Sequence, residues 1–457
     1  MTSSQYDDVK VRIFECRGDD YPVEITLNDE REFRGVLPSH ILPWTSAGDP
    51  IADGQRLFDD LCTDVALRSA WAEARGQAPK RRIRLLIDAP ELNIIPWELL
   101  HEDETTMLSA NANTPFSRYL PVAKAWGKAV REKPLRVLAV ISNPEDLEDY
   151  NLASLDVATE QSVLKTAFSA LNADDIALDF LQAPVTLKGI ESALNKGYHI
   201  LHYVGHGVFN KRKQQAALYL QDDFGDTQVV RGDKLVNMLA RQGAQPRLVF
   251  LAACQSATRS TANAFRGLGP SLVGAGVPAI VAMQDFVSIQ TAQALSQAFY
   301  QNLTRHGVVD QAMNEARSTL LTADRPDAAV PVLFMRLKSG QLWSEEPEVS
   351  VPQPEKKRPD LAELYWFFAE IEKDIARDIP SEQQTDALAR LNELKTAITD
   401  QVPDCAAIES IYQWFSQNGL RLAGKVLNYV ILHPTTRELM AFAGDAYAQE
   451  HQQRFIT

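Results

Sequence analysis

The sequence predicts an α/β protein: a mostly parallel sheet flanked by helices, with a smaller N-terminal α+β part and a C-terminal all-α domain. Three observations predict it. From Leu135 short runs of branched and aromatic residues alternate with helical spacings, the order that builds βαβ units. Two of those runs, Ile200–Val204 and Arg247–Leu251, are almost continuously apolar and end in small or breaking residues, as strands buried on both faces do. Beyond residue 360 apolar residues recur only at three and four, which is a helical period.

In chain order, residues 1–130 are mixed. Val9–Phe14, Val23–Leu27 and Glu32–Val36 read as short strands, Gln55–Ala74 as a helix, and Arg82–Ile87 as a strand running into Asp88-Ala89-Pro90. Ile94-Ile95-Pro96-Trp97-Glu98-Leu99-Leu100 is an apolar knot whose Trp and Leu density marks buried core. Residues 131–343 alternate regularly: strands at Leu135–Ile141, Ile176–Leu181 and Tyr198–Val204, with helices at Leu155–Leu171 and Thr186–Lys196 between them. Ala217–Leu220 and Thr227–Val230 flank Asp222-Asp223-Phe224-Gly225-Asp226, a hairpin with turn chemistry. A helix at Asp233–Arg241, strands at Arg247–Leu251 and Ala279–Met283, helices at Ile289–Thr304 and Val309–Thr322, and a strand at Ala329–Leu337 complete that part. Residues 344–359, SEEPEVSVPQPEKKRP, are rich in Pro, Glu and Lys and read as a semi-extended linker. In residues 360–457, Leu361, Leu364, Tyr365, Phe368, Ile371 and Ile375 share one helical face, as do Leu388, Leu391, Leu394 and Ile398.

Composition narrows the function classes. A net charge of −14 disfavours general binding to nucleic acid or anionic membrane, both of which need basic surface. No run is long enough to span a bilayer, and MTSSQYDDVKVRIFE lacks the apolar core of a signal peptide. The four cysteines, at 16, 62, 254 and 405, show no CxxC spacing, so neither a zinc site nor a disulfide framework is indicated. The expectation is a cytoplasmic protein with reduced thiols, no metal and no cofactor. Neither GxxxxGK[ST] nor a strand-linked GxGxxG occurs, which ranks an α/β nucleotide switch low.

The chemistry gathers at two strand ends. The run Ile200–Val204 is cut by Gly205-His206-Gly207, and Arg247–Leu251 is followed by Ala252-Ala253-Cys254-Gln255-Ser256. In open α/β sheets, sites form beyond the carboxyl ends of strands. A thiol that attacks an amide needs a partner to manage its proton and donors for the oxyanion. Cys254 as nucleophile and His206 as base supply the thiol and its proton partner, and the backbone N–H groups of Gly207 and Cys254 can supply the donors. The flanking glycines admit unusual backbone angles and close approach of a substrate. The separation, 254 − 206 = 48 residues, leaves room for a hairpin, a helix and a strand, and matches the roughly 50 residues between histidine and cysteine in caspases. His202, inside an apolar run, reads as a core histidine, and Cys16, Cys62 and Cys405 as packing or surface residues.

These stretches together, HYVGHG (202–207), LYLQDDFGD (218–226), LVFLAACQSA (248–257), GVPAIVAMQDFVS (276–288) and AFYQNL (298–303), with Ala312–Leu320 and the knot at 95–100, resemble a CHAT domain. These domains are caspase-like cysteine peptidases related to separases. The likeness spans about residues 1–345. It implies a caspase-like sheet, with His206 as general base and acid, Cys254 as nucleophile, and Gly207 in the oxyanion hole. It also implies a protein substrate and, by analogy with such peptidases in bacteria, a role in regulated signalling or defence. Tetratricopeptide repeats, which give the family its name, are missing, since the tail has no 34-residue period. An inactive CHAT-like scaffold that serves only for protein interaction is the alternative, against which the intact His206/Cys254 pair weighs.

Caspases that cut after Asp need arginines in the pocket. Here the loops after the first and fifth strands, Ser142–Asp156 and Gln284–Ser288, hold six carboxylates and no Arg or Lys, so an acidic residue before the cut is disfavoured. Asp156 and Asp285 are the candidates to line the pocket. Tyr365, Trp366, Phe367, Phe368, Tyr412, Trp414 and Phe415 outnumber what one face of each tail helix can bury. The tail therefore reads as a recruitment module for a sensor or adaptor protein.

Overall fold

The computed structural model describes residues 6–28, 31–121, 129–210, 212–213, 215–252, 259–285, 287–325, 327–344, 359, 361–400, 403–443 and 445–455. The chain divides into two compact units, Met1–Glu345 and Glu346–Thr457.

The first unit opens with β1 (Asp7–Ile13), β2 (Asp20–Leu27) and β3 (Arg31–Pro38), followed by α1 (Pro50–Leu61), α2 (Val65–Gln77), β4 (Arg81–Ile87) and β5 (Phe116–Tyr119). β1 and β2 turn Val9, Val11, Ile13, Val23 and Ile25 to one face, and α1 and α2 cover it with Leu57, Leu61, Leu67 and Trp71. Asp49 and Asp64 cap these helices by accepting from Ile51 N–H and Ala66 N–H, which satisfies donors the first turn leaves open.

The remaining elements are β6 (Leu135–Ile141), α3 (Val157–Ser169), β7 (Ile176–Phe180), α4 (Leu187–Leu194), β8 (Ile200–Val204), β9 (Gly207–Asn210), β10 (Gln215–Gln221), β11 (Thr227–Arg231), α5 (Gly232–Ala240), β12 (Leu248–Ala252), α6 (Arg259–Gly274), β13 (Ala279–Met283), α7 (Ile289–His306), α8 (Val309–Thr322) and β14 (Pro331–Met335). One sheet takes in both parts, in the order β3-β2-β1-β4-β5-β14-β13-β12-β8-β6-β7, while β9, β10 and β11 form a separate antiparallel ribbon. Every junction of the large sheet is parallel except β1–β2, β2–β3 and β13–β14. The β13–β14 reversal sends β6, β7, β8, β12 and β13 one way and β14, β5, β4 and β1 the other. The carboxyl ends of the first group therefore share one rim. β8, β12, β13 and β14 are buried along their whole length, as strands covered on both faces must be.

In the first unit the sequence reading runs α1 and α2 together as one helix over Gln55–Ala74, although the chain breaks at 62–64 where Asp64 caps α2, and it misses β5, β9 and α6 for identifiable reasons. β5 is four residues long and includes Ser117 and Arg118, and β9 (GVFN) has no apolar run. α6 carries Gly267, Gly269, Pro270 and Gly274, a composition that normally breaks helices. Here Gly269 lets the helix lie on the sheet, because a Cβ there would sit 2.4 Å from the Phe334 ring.

The second unit is helical: α9 (Ala362–Asp378), α10 (Ser381–Thr399), α11 (Cys405–Asn418), α12 (Leu420–Val426), a π-helical turn at Leu427–Ile431, α13 (Pro434–Ala443) and α14 (Asp445–Phe455). Leu364, Phe368, Ile371, Leu391, Leu394, Ile408, Phe415 and Met440 form its core. In α10 Leu391, Leu394 and Ile398 are buried as expected, while Leu388 is 39% exposed and Ala387 takes the buried position in its stead. Trp366 is 58% exposed, and Phe367 stacks on Tyr429 with ring centroids 5.2 Å apart. The expected linker, apart from Ser344 and Pro359, lies outside the described residues. No described helix is long and apolar enough to cross a membrane.

Candidate active site

β8 and β12 are parallel neighbours in register, with Val204 paired to Ala252. His206 stands two residues beyond Val204, and Cys254 two residues beyond Ala252 in sequence. Their loops thus leave adjacent strands at the same level of the same rim. Cys254 itself lies outside the described residues.

His206 is completely buried. Its Nε2 lies 2.8 Å from the Ala153 carbonyl, and a carbonyl only accepts, so Nε2 carries the proton. Nδ1 then holds a lone pair, and among the described residues it has no hydrogen-bond partner. Burial pushes the His206 pKa below 6.5, opposed by the bond to Ala153. The ring is thus a neutral imidazole at pH 7 with a basic nitrogen unspent. Its backbone is pinned as well. The His206 carbonyl accepts from Tyr219 N–H and from the Tyr203 hydroxyl, each at 3.1 Å.

The flanking glycines have different reasons from the one the sequence implies. Neither Gly205 nor Gly207 has a positive φ. Gly205 is small because the Tyr203 ring folds over it, and a Cβ would meet the Tyr203 hydroxyl oxygen at 2.4 Å. Gly207 faces Leu218 next to the His206–Tyr219 rung. Ladder alternation turns its N–H away from β10.

The carbonyl that orients His206 belongs to the loop after β6, which sequence reasoning valued only for its charge. Ser142 N–H donates to the Val204 carbonyl, and its hydroxyl to that of Tyr219 at 2.8 Å. Asn143 closes the loop by accepting from Leu155 N–H at 2.7 Å. Glu145 N–H donates to Gly225, and Asp146 accepts from the N–H and hydroxyl of Thr227, bonds that hold its carboxyl below the usual range. Leu147, Leu152 and Tyr219 bury a small apolar cluster beneath. The loop carrying Ala153 is therefore latched to the ribbon that follows His206.

The two carboxylates proposed for the pocket differ. Asp156 caps α3: it accepts from Thr159 N–H at 3.0 Å and from the Thr159 hydroxyl at 2.6 Å, which keeps it charged below its ordinary range. Asp285 is exposed on the turn after β13. That turn is anchored by its neighbour Gln284, which donates to Glu98 at 2.7 Å and accepts from Arg118 at 3.0 Å. Glu98 and Arg118 form a buried two-pronged ion pair, at 3.0 and 2.7 Å. The signal in the sequence is a charge inside an apolar knot with an Arg 20 residues later, and a reading of the knot as plain packing passes over it.

The competing residues have other roles. His202 is buried, bonds Tyr300 at 2.8 Å, stacks on Phe250, and is pushed down to about 3 by burial. Burial pushes the Cys62 thiol up to about 12 and also raises Cys405, which makes both poor nucleophiles. Among the described residues no three His, Cys, Asp or Glu side chains converge as metal ligands.

No curated protein matches the chain by sequence. Among solved structures it is similar to the pro- and mature-domain complex of Porphyromonas gingivalis RgpB, at 13% identity and TM-score 0.37 over 65% of this chain and 76% of that one. It is also similar to the Arg-specific cysteine proteinase gingipain R, at 13% identity and TM-score 0.34, covering 65% of this chain and 69% of that one. A third similarity is to the Saccharomyces cerevisiae separase–securin complex, at 10% identity and TM-score 0.40 over 72% of this chain but 30% of that one. The CHAT domain family model matches residues 52–404, from inside α1 through α10. With that match extending over most of its length, the chain belongs to the CHAT domain family.

Proposed function

We propose that the protein is a caspase-like cysteine endopeptidase that cuts a specific partner protein through a Cys254–His206 dyad. The observation that carries this reading is His206: a buried, neutral imidazole, fixed through Nε2, with an unspent Nδ1 at the rim where the Cys254 loop leaves the neighbouring strand. In the proposed reaction Nδ1 takes the Cys254 proton as sulfur attacks the scissile carbonyl. The C–N bond then breaks as His206 protonates the leaving amine, and water, deprotonated by the same nitrogen, releases the acyl group. The N–H groups of Gly207 and Cys254 receive the oxyanion. A bacterial signalling or defence setting follows from the family resemblance alone.

The rim charge sets the expected specificity. Asp285 is exposed on the turn after β13, Asp156 stays ionised, and the described parts of both loops hold no Arg or Lys. Peptide-library cleavage should favour basic or neutral residues before the scissile bond, and a preference for Asp there would overturn the pocket assignment. The activity itself is tested by Cys254→Ala, which should abolish proteolysis.

The helical unit is proposed to recruit a sensor or adaptor protein, or the substrate, through exposed aromatics such as Trp366. Truncation at Pro359 should leave Cys254 reactive toward a small electrophile while cleavage of the protein substrate falls at least tenfold. Loss of both would make the unit structural, and loss of neither would remove its recruiting role.

A further inference from the structure

The turn that carries His206 is Gly205-His206-Gly207. Two of its three residues have no side chain to pack, and glycine leaves the backbone freer than any other residue does. A base that must meet a thiol in one geometry needs that freedom removed. The residue placed to remove it comes from the strand below. Tyr203, the fourth residue of β8, is 2% exposed, and its ring folds over Gly205, leaving no room there for a Cβ. Its hydroxyl lies between two main-chain carbonyls, that of His206 at 3.1 Å and that of Tyr219 at 3.2 Å.

Neither carbonyl needs that hydroxyl to be satisfied. His206 keeps Tyr219 N–H as its donor at 3.1 Å, and Tyr219 keeps the Ser142 hydroxyl at 2.8 Å. Phenylalanine would fill the same space and leave both carbonyls bonded, so the hydroxyl adds little to stability through them. It adds a tie instead. Its single proton is shared between the turn and the ribbon, and the Ser142 hydroxyl reaches the same Tyr219 carbonyl from the start of the loop that carries Ala153. These are the three segments whose relative placement puts Nε2 2.8 Å from the Ala153 carbonyl.

We propose that Tyr203 is the positioning residue of the dyad: its hydroxyl holds the His206 turn where Nε2 meets Ala153, which leaves Nδ1 for the Cys254 thiol. The proposal rests on the Cys254–His206 reading and assigns the ring no chemical step. Tyr203 acts through His206, where a misplacement of about 1 Å can cost roughly 10²-fold in rate.

Tyr203→Phe in the full chain tests it. Peptide hydrolysis should lose at least tenfold in kcat with KM within twofold, while the melting midpoint stays within about 4 °C of the wild type, the shift that roughly 1 kcal/mol produces. Alkylation of Cys254 by iodoacetamide, located by mass spectrometry, adds a readout that general loosening would not give. At pH 7 the thiol needs His206 to take its proton, so the variant should react at least tenfold more slowly. At pH 9.5, about one unit above the ordinary thiol pKa of roughly 8.5, the thiolate forms unaided, and the two rates should agree within twofold. His206→Ala, run alongside, separates the failures. If it keeps wild-type hydrolysis, the dyad is wrong and this proposal goes with it. If it is inactive while Tyr203→Phe keeps kcat within twofold, the dyad stands and the role of Tyr203 is overturned. Equally slow alkylation at both pH values, or a midpoint lowered by more than about 4 °C, would make the hydroxyl a structural group and overturn the proposal as well.

Discussion

His206→Ala is expected to lower peptide hydrolysis by about 10²- to 10⁴-fold, the usual worth of a positioned general base. The thiol of Cys254 would remain, but nothing else described at the rim could take its proton, since His202 is committed to Tyr300 in the core. The pH dependence carries the sign of the shift. Because burial lowers the His206 pKa from 6.5, the neutral, basic form persists below pH 6.5, and wild-type activity should fall only as the pH drops through the lower folded value. Stability follows the same sign: the unfolded chain takes up this proton near pH 6.5 and the folded chain only below it. His206 therefore costs no stability above pH 6.5 and an increasing amount as the pH falls from there toward the folded pKa. An acid limb with its midpoint at or above 6.5 would contradict a buried neutral imidazole.

Glu98→Ala should destabilise the first unit by roughly 3–5 kcal/mol, the cost of leaving one member of a buried ion pair alone. Glu98 is 0% exposed and accepts twice from Arg118 and once from Gln284. Arg118 also donates to the Asn93 and Ile95 carbonyls at 3.0 Å, so the pair ties the apolar knot to β5 and to the turn after β13. Removing the carboxylate strands a buried guanidinium and loosens the Gln284 anchor beside Asp285. The double replacement Glu98→Leu with Arg118→Met should regain most of the loss. Urea unfolding followed by circular dichroism measures both, and a loss below about 1 kcal/mol would place the pair among weak surface bridges.

How much was legible in the sequence depended on how local its physics is. β8, β12 and β13 are buried on both faces, so their residues had to be apolar and short-period, and they announce themselves. The place of His206 just past the end of β8 was legible because strand ends and glycine punctuation are local signals. Ala153 was not, since any residue supplies a backbone carbonyl and only the latches at Asn143, Glu145 and Asp146 determine which one meets His206. The Glu98–Arg118–Gln284 cluster joins segments up to 186 residues apart, and nothing in a window around any one of them reveals the others. α6 hid because its glycines serve tertiary approach rather than local propensity.

The dyad is tested most directly by labelling the full chain with a peptidyl electrophile and locating the modified thiol by mass spectrometry. Cys254 should be modified rapidly and alone, and the modification should vanish in His206→Ala, while buried Cys62 and Cys405 and exposed Cys16 stay unmodified on that timescale. Equal labelling of Cys254 with and without His206, or faster labelling at any of the other three, would contradict the assignment of Cys254 and His206 as nucleophile and base.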